Sequence, residues 1–173
     1  VRATPETCPH YLPLTDKALE SKDADYRMNP PLRGEEDRLA LIQALKDGTI
    51  DAISTDHAPH SPEEKGDFLK APNGSIGMET SLAATLTALK GVLTLPEILA
   101  KMSWNPARIL NIPAGTLRTG ANADVVLFDP EKKWVVDPEK LHGKSKNTPF
   151  KGMTLQGKVA MTIFRGRVVY DGR

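Results

Sequence analysis

IDAISTDHAPH, residues 50–60, carries a strand and, directly after it, a cluster of chemistry-bearing side chains. Residues 50–54 are mostly apolar or small and read as a short buried strand, which needs no strict alternation when both faces are covered. Thr55, Asp56, His57, Ala58, Pro59 and His60 follow at its C-terminal end. In a barrel built of βα units this is the edge where chemistry sits. An Asp there suits metal ligation, general-base work, or both. A plainer reading stands beside it: Asp56 capping the next turn, His57 and His60 as ordinary packing or surface histidines.

Working outward, residues 34–48 read as the clearest helix. Leu39, Ile42, Ala44 and Leu45 fall at helical spacing, Glu35, Glu36 and Asp37 load the first turn, and Gly48 stops it. This helix feeds the strand at residue 50, and strand–turn–helix–strand alternation argues for an α/β protein with a parallel sheet. Upstream, residues 1–14 have strand-like ends around a polar centre. Pro9 forces Cys8 out of helical geometry and places His10 just past a strand. Thr15 reads as the N-cap of a helix, and residues 26–28 as a very short strand. Asn29, before Pro30 and Pro31, is held at that strand's end, or is part of an ordinary rigid turn.

Residues 61–77 form a long loop with Asn73-Gly74 as a turn signal; loops of this length in compact domains are functional or mobile. Helices follow over residues 78–89, 95–102 (Pro96 in the first turn) and 105–110 (Asn105 as N-cap). From about residue 114 the character changes. Strands are expected over 124–129 and 132–136, and a hairpin over 159–170 turns at Arg165-Gly166-Arg167. Residues 142–150 between them read as a polar loop with solvated lysines. The chain therefore divides into residues 1–113 and a β module, residues 114–173.

Composition bounds the rest. The chain has 173 residues, 39% hydrophobic and 26% charged, with a formal net charge of +1. That offers no basic field for nucleic acid, and no apolar run approaches the roughly 18 residues of a membrane helix. A single cysteine, Cys8, excludes an internal disulfide and suits a reducing, cytoplasmic compartment. The chain opens on Val1 and reads at once as the end of a strand, as if residues upstream had been removed.

CPHYL (8–12), MNPPLR (28–33), DGTIDAISTDHAPH (47–60), NPARIL (105–110), GANADVVLFDP (120–130) and SKNTPF (145–150), in this order, resemble dihydroorotase of the amidohydrolase superfamily. The likeness is to the bacterial class related to the dihydroorotase domain of the animal multifunctional pyrimidine enzyme. It implies the C-terminal portion of a (β/α)8 metal-dependent hydrolase barrel, about its last three strands, followed by a small β module that belongs to a composite β-sandwich. It implies zinc, one or two ions per complete site, and reversible hydrolysis of dihydroorotate to N-carbamoyl aspartate in pyrimidine (UMP) biosynthesis.

Residue by residue, His10 is similar to a metal-binding His, and Asp56 to the strand-end Asp that touches metal and shuttles the proton. Asn29 is similar to the Asn that bonds the dihydropyrimidine ring, and His60 to the His that holds the substrate carboxylate. Asn73 and Gly74 lie where the family offers backbone contacts to the ring; an aromatic is common at the Asn73 position. His57 takes no ligand role.

The resemblance also implies an N-terminal half carrying the remaining ligands, a homodimer, and an aspartate transcarbamoylase as a possible partner. The 173-residue chain alone is expected to be inactive and to pair with that half or with itself. An allantoinase, hydantoinase or dihydropyrimidinase is the related alternative, and a non-catalytic dihydroorotase-like scaffold of a transcarbamoylase is the other.

Overall fold

The computed structural model describes residues 3–172; Val1, at the start of the stretch read as strand-like, lies outside them. Two short strands, β1 (Glu6–Thr7) and β2 (Ala52–Ile53), pair in parallel, Glu6 with Ala52 and Thr7 with Ile53. Asp51 N–H donating to Pro5 C=O (3.0 Å) and Ser54 N–H to Thr7 C=O (2.9 Å) extend the ladder. Between the strands lie three 3-10 turns, Pro9–Tyr11, Asp16–Ser21 and Ala24–Tyr26, and helix α1 (Glu35–Asp47). Gly34 and Gly48 flank α1, and Gly48 adopts the left-handed conformation (φ +85°) that ends a helix.

Three local expectations change here. Residues 26–28 are not a strand: Asp23 accepts a hydrogen bond from Asp25 N–H (2.9 Å) and opens a 3-10 turn instead. An Asp side chain so placed competes with a sheet ladder for the backbone. β1 therefore pairs directly with β2, and the parallel sheet has two strands where the resemblance implies about three. Thr15 stands at the start of Asp16–Ser21 but makes no side-chain cap, and no residue of that 3-10 turn is fully buried, although Ala18 packs in part on the core. On α1, Leu39 points outward, 51% exposed; Leu41, Ile42, Ala44 and Leu45 pack instead.

Helix α2 (Ser81–Leu89) begins three residues later than expected, and Met78 is 68% exposed. Helix α3 (Leu95–Leu99) starts with a capping box: Thr94 N–H and hydroxyl both donate to the Glu97 carboxylate at 2.7 Å. It runs through a π-helical turn, Ala100–Trp104, into α4 (Asn105–Ile109). Asn105 is thus not an N-cap. It keeps helical dihedrals and donates from Nδ2 to Asp51 C=O (2.8 Å). The wider turn accommodates Pro106, which brings no N–H to the helix.

The last third is an antiparallel sheet in the order β3 (Val125–Val135), β4 (Thr154–Phe164), β5 (Arg167–Asp171). β3 joins the two strands expected over 124–129 and 132–136. Its register shifts between Asp129 and Lys133, where Asp129 Oδ1 accepts from the N–H groups of Glu131 (2.9 Å) and Lys132 (3.1 Å) and folds the extra residues out. The hairpin turns at Arg165 and Gly166, both at positive φ (+49° and +78°), as the tightest hairpins require.

Two buried clusters hold these parts together. Leu12, Leu45, Ile50, Ile53, Leu86, Leu89 and Ile98 form one, behind the parallel pair. The other joins Leu14, Met28, Leu32, Ala83 and Ala84 to Val136, Phe150 and Leu155, so the sheet region and the helical region share a core. β4 approaches α2 so closely that a Cβ at Gly157 would lie 2.5 Å from Leu86 Cδ1. Among the described residues no helix is long and apolar enough to cross a membrane. Phe150 fills the centre of the shared core, 2% exposed. Phe150→Ala is expected to destabilise the folded protein by about 3–5 kcal/mol, read as a shift of the urea unfolding midpoint; a loss under about 1 kcal/mol would show that the two regions are not coupled through it.

Candidate active site

Parallel strands end at the same edge, so the residues after β1 and β2 meet. Cys8 leaves β1 extended, and Pro9 then starts the turn Pro9–Tyr11 that carries His10 inward to 4% exposure. Past β2, Asp56 holds φ +48°, an uncommon conformation for a residue with a Cβ. Such strain costs about 1–3 kcal/mol and gathers at functional sites. One ligand atom each from Cys8, His10 and Asp56 lies within 4.8 Å of the other two.

The chemistry of this trio is uneven. Burial pulls the His10 pKa down to about 4, with the Asp56 carboxylate pulling the other way, so the ring is neutral at neutral pH. Neutral imidazole is the ligating form, and His10 Nε2 is buried with no hydrogen-bond partner. Burial, then Asp56 and Glu6, push the Cys8 thiol up to about 12, so it stays protonated and is a poor ligand without a metal beside it. An orphaned imidazole nitrogen beside a carboxylate fits zinc, which takes N, O and S donors. Cys8 is the member of this trio with no role assigned from sequence.

A cavity of about 740 Å³ opens beside the trio, lined among others by Cys8, Tyr11, Asn29, Arg33, Ser54 and Asp56. Asn29 is exposed on its wall, next to Pro30, whose carbonyl accepts from the Tyr11 hydroxyl (2.6 Å). The structure thus sets Asp56 and Asn29 on the wall of one cavity, with His10 buried beside Asp56 but not on that wall. His60, Asn73 and Gly74 form a second group on the loop after β2 and do not line that cavity.

In this second group His60 Nε2 lies 3.1 Å from Asn73 C=O, and Nδ1 lies 3.7 Å from the Glu64 carboxylate. Gly74 uses both backbone groups inside the chain: its N–H donates to Arg27 C=O (2.8 Å), and its C=O accepts from Asn147 Nδ2 (3.3 Å). Its φ is +120°, and a Cβ there would fall 2.4 Å from the Ala58 Cβ. His57 is committed elsewhere, its Nδ1 accepting from Gly77 N–H (3.1 Å).

The long loop is stitched down rather than free. Lys65 Nζ donates to Ala24 C=O (3.0 Å) and Pro72 C=O (2.9 Å), and Arg27 Nη1 donates to Phe68 C=O (2.6 Å). Lys146, expected to be solvated, instead donates to Leu141 C=O (2.7 Å). Asn147, beside it, reaches Ala58, His60 and Gly74 at once. The only sequence signal for Asn147 was its place in SKNTPF.

Asp25 sits under this loop. Burial, then the Asp23 carboxylate, raise its pKa to about 6, against the partial pull of Lys65 and Lys151. A carboxyl with a raised folded pKa holds its proton more tightly when folded. Its contribution is full below the unfolded pKa of about 3.9 and is lost as pH rises through about 6. Asp25→Asn is therefore expected to raise Tm at pH 8 relative to the unsubstituted protein, with the gain shrinking toward pH 4. Calorimetry at the two pH values checks this; an equal shift at both would mean that ionisation of Asp25 is not what matters.

Comparison with known proteins extends these observations. A profile of the amidohydrolase family matches residues 9–169. The dihydroorotase of Syntrophus aciditrophicus is 54% identical over 173 residues, 99% of this chain and 41% of that protein. The dihydroorotase of Geobacter metallireducens is 52% identical over 172 residues, 98% of this chain and 41% of that protein. The chain thus spans about 41% of the length of the curated relatives it matches. Among solved structures, L-hydantoinase (dihydropyrimidinase) from Arthrobacter aurescens superposes with a TM-score of 0.90 at 34% identity, over 97% of this chain and 39% of its own. Dihydropyrimidinase from Brevibacillus agri NCHU1002 gives 0.89 at 33% identity, over 97% and 39%.

Proposed function

The chain belongs to the amidohydrolase family, and on that premise we propose that it is the C-terminal part of a zinc-dependent dihydroorotase. The observation that carries the reading is Asp56, in a left-handed conformation at a strand end, beside the partnerless buried imidazole of His10. Identities of 54% and 52% to curated dihydroorotases, against 34% to the hydantoinase structure, favour dihydroorotate over an uncharged ring. The working site is completed by the N-terminal part of the same enzyme. Residues 1–113 supply the last βα units of the barrel and residues 114–173 the β module. The complete enzyme is a cytoplasmic homodimer of the pyrimidine pathway, with aspartate transcarbamoylase as a candidate partner.

His10 and Asp56 would hold zinc, one or two ions per complete site. Bound there, zinc supplies a water acidified to a pKa of about 7 and a Lewis acid for the amide carbonyl. Asp56 takes the proton from the attacking oxygen and passes it to the departing ring nitrogen, so that the leaving group is a neutral amide rather than an anion. In the reverse direction the same carboxylate removes the proton from the carbamoyl nitrogen of N-carbamoyl aspartate as the ring closes. Asn29, with a free amide on the cavity wall, orients the ring. His60 reads the ring carboxylate through a charge-assisted hydrogen bond, and the backbone at Asn73 and Gly74 borders the ring.

The TM-score of 0.90 against a hydantoinase favours a second reading, hydrolysis of an uncharged cyclic amide by the same groups. Assaying the full-length enzyme with dihydroorotate and with dihydrouracil separates the two. Preference for dihydrouracil would sink the dihydroorotase reading, while the 173-residue chain by itself is expected to turn over neither. Asp56→Asn in the full-length enzyme is expected to lower kcat by about 10²–10⁴-fold and to reduce the zinc retained after dialysis. Chelation should abolish turnover of the unsubstituted enzyme and added zinc restore it. Undiminished turnover after complete zinc removal, or by Asp56→Asn, would remove Asp56 and the metal from the mechanism.

A further inference from the structure

We propose that Asn147 is the positioning residue that aims His60 at the substrate carboxylate; the inference rests on the dihydroorotase reading. Asn147 lies between β3 and β4, far along the chain from the site, and is 5% exposed. Every hydrogen bond of its side chain is directed at the loop that follows β2. Oδ1 accepts from His60 N–H (3.1 Å), and Nδ2 donates to Ala58 C=O (3.0 Å) and Gly74 C=O (3.3 Å). Its backbone C=O accepts from Ile76 N–H (3.0 Å).

One residue therefore ties the near arm of the loop, residues 58–60, to the far arm, residues 74–76. A carboxamide is suited to this, since it accepts and donates twice at once. A carboxylate of the same shape keeps the bond from His60 N–H but turns both donors into acceptors facing carbonyls. The grip bears on His60 from two sides, while Glu64 faces its Nδ1 at 3.7 Å. Asn147 fixes the His60 backbone directly. It also holds the C=O of Gly74, the neighbour of Asn73, whose own carbonyl lies 3.1 Å from His60 Nε2; the peptide joining the two residues is held in turn by Arg27 C=O, which accepts from Gly74 N–H. Asn147 does not line the cavity beside Asp56, so it acts on the proton-transfer machinery only through this loop. Its loss should be felt in recognition of the substrate's anionic group more than in the chemical step.

The test is a double-mutant cycle in the full-length enzyme: unsubstituted, Asn147→Ala, His60→Ala and the double variant. kcat and KM for dihydroorotate are measured beside Tm. Asn147→Ala is expected to raise KM about tenfold while kcat moves less than about threefold. In the His60→Ala background the same change should leave KM within about twofold, because residues acting in series do not add. A merely structural Asn147 would lower Tm and multiply the KM effect in both backgrounds, which overturns the inference. If Asn147→Ala does not accumulate folded, Asn147→Asp, which keeps the shape and the Oδ1 acceptor, is read through the same cycle. Failure of both to fold also overturns it. Absence of dihydroorotate turnover by the unsubstituted enzyme takes down the functional reading and this inference together, whereas turnover with independent effects takes down this inference alone.

Discussion

The parallel pairing of Glu6 and Thr7 with Ala52 and Ile53 is the constraint on which the site depends. Because parallel strands run the same way, the residues that leave β1 and β2 emerge at one edge. Antiparallel pairing of the same segments would put Cys8 and His10 at one end and Asp56 at the other. A ladder this short has no stability of its own. It persists because Ile50 and Ile53 are buried against Leu12, Leu45 and Leu89, and because Lys101 and Asn105 bind the carbonyls of Ile50 and Asp51. The irregular helix running from α3 to α4 thus serves as a buttress for the strand, and its π-helical turn carries one of the two side chains that reach it.

The segment around residues 145–150 has the opposite character. It has no regular structure, yet it is among the most buried parts of the chain. Asn147, Thr148, Pro149 and Phe150 are all sequestered, with Phe150 in the core shared between the sheet and α2 and Asn147 packed against the loop that follows Asp56. Buried irregular backbone is tolerated only where its polar groups find partners. Here those partners belong to the loop that follows β2, so packing of the β region and the shape of that loop are set together. Gly74 completes the arrangement, at a place where any side chain would collide with Ala58.

Several local features went against expectation for identifiable reasons. Asp23 and Asp129 each divert nearby backbone N–H groups to a carboxylate, making a turn of residues 24–26 and a bulge of residues 129–133. Alternation and β-branching register strand tendency, but a side chain two or three residues away can outcompete the ladder. Asn105-Pro106 has the composition of a helix start, yet the preceding turn stays helical and the Asn side chain is drawn to Asp51. Leu39 matches the helical period of α1 but falls at the rim of its apolar stripe, where the neighbouring elements do not reach.

By itself the sequence determined the features whose causes are local. These are α1 between its two glycines, the Arg165-Gly166 hairpin, the strand before Asp56, and the ordered motifs that mark an amidohydrolase. Propensity, capping and turn chemistry act within a few residues, so they can be read from a string. Only the tertiary structure decided that β1 lies directly against β2, that Cys8 stands with His10 and Asp56, and that Asn147 grips the loop carrying His60. It also decided that His57, one of the two imidazoles in residues 50–60, is occupied by Gly77. An imidazole or an amide has the same hydrogen-bonding capacity wherever it stands. Which partner it meets is set by the packing of segments remote in the chain, and no neighbouring residue encodes that.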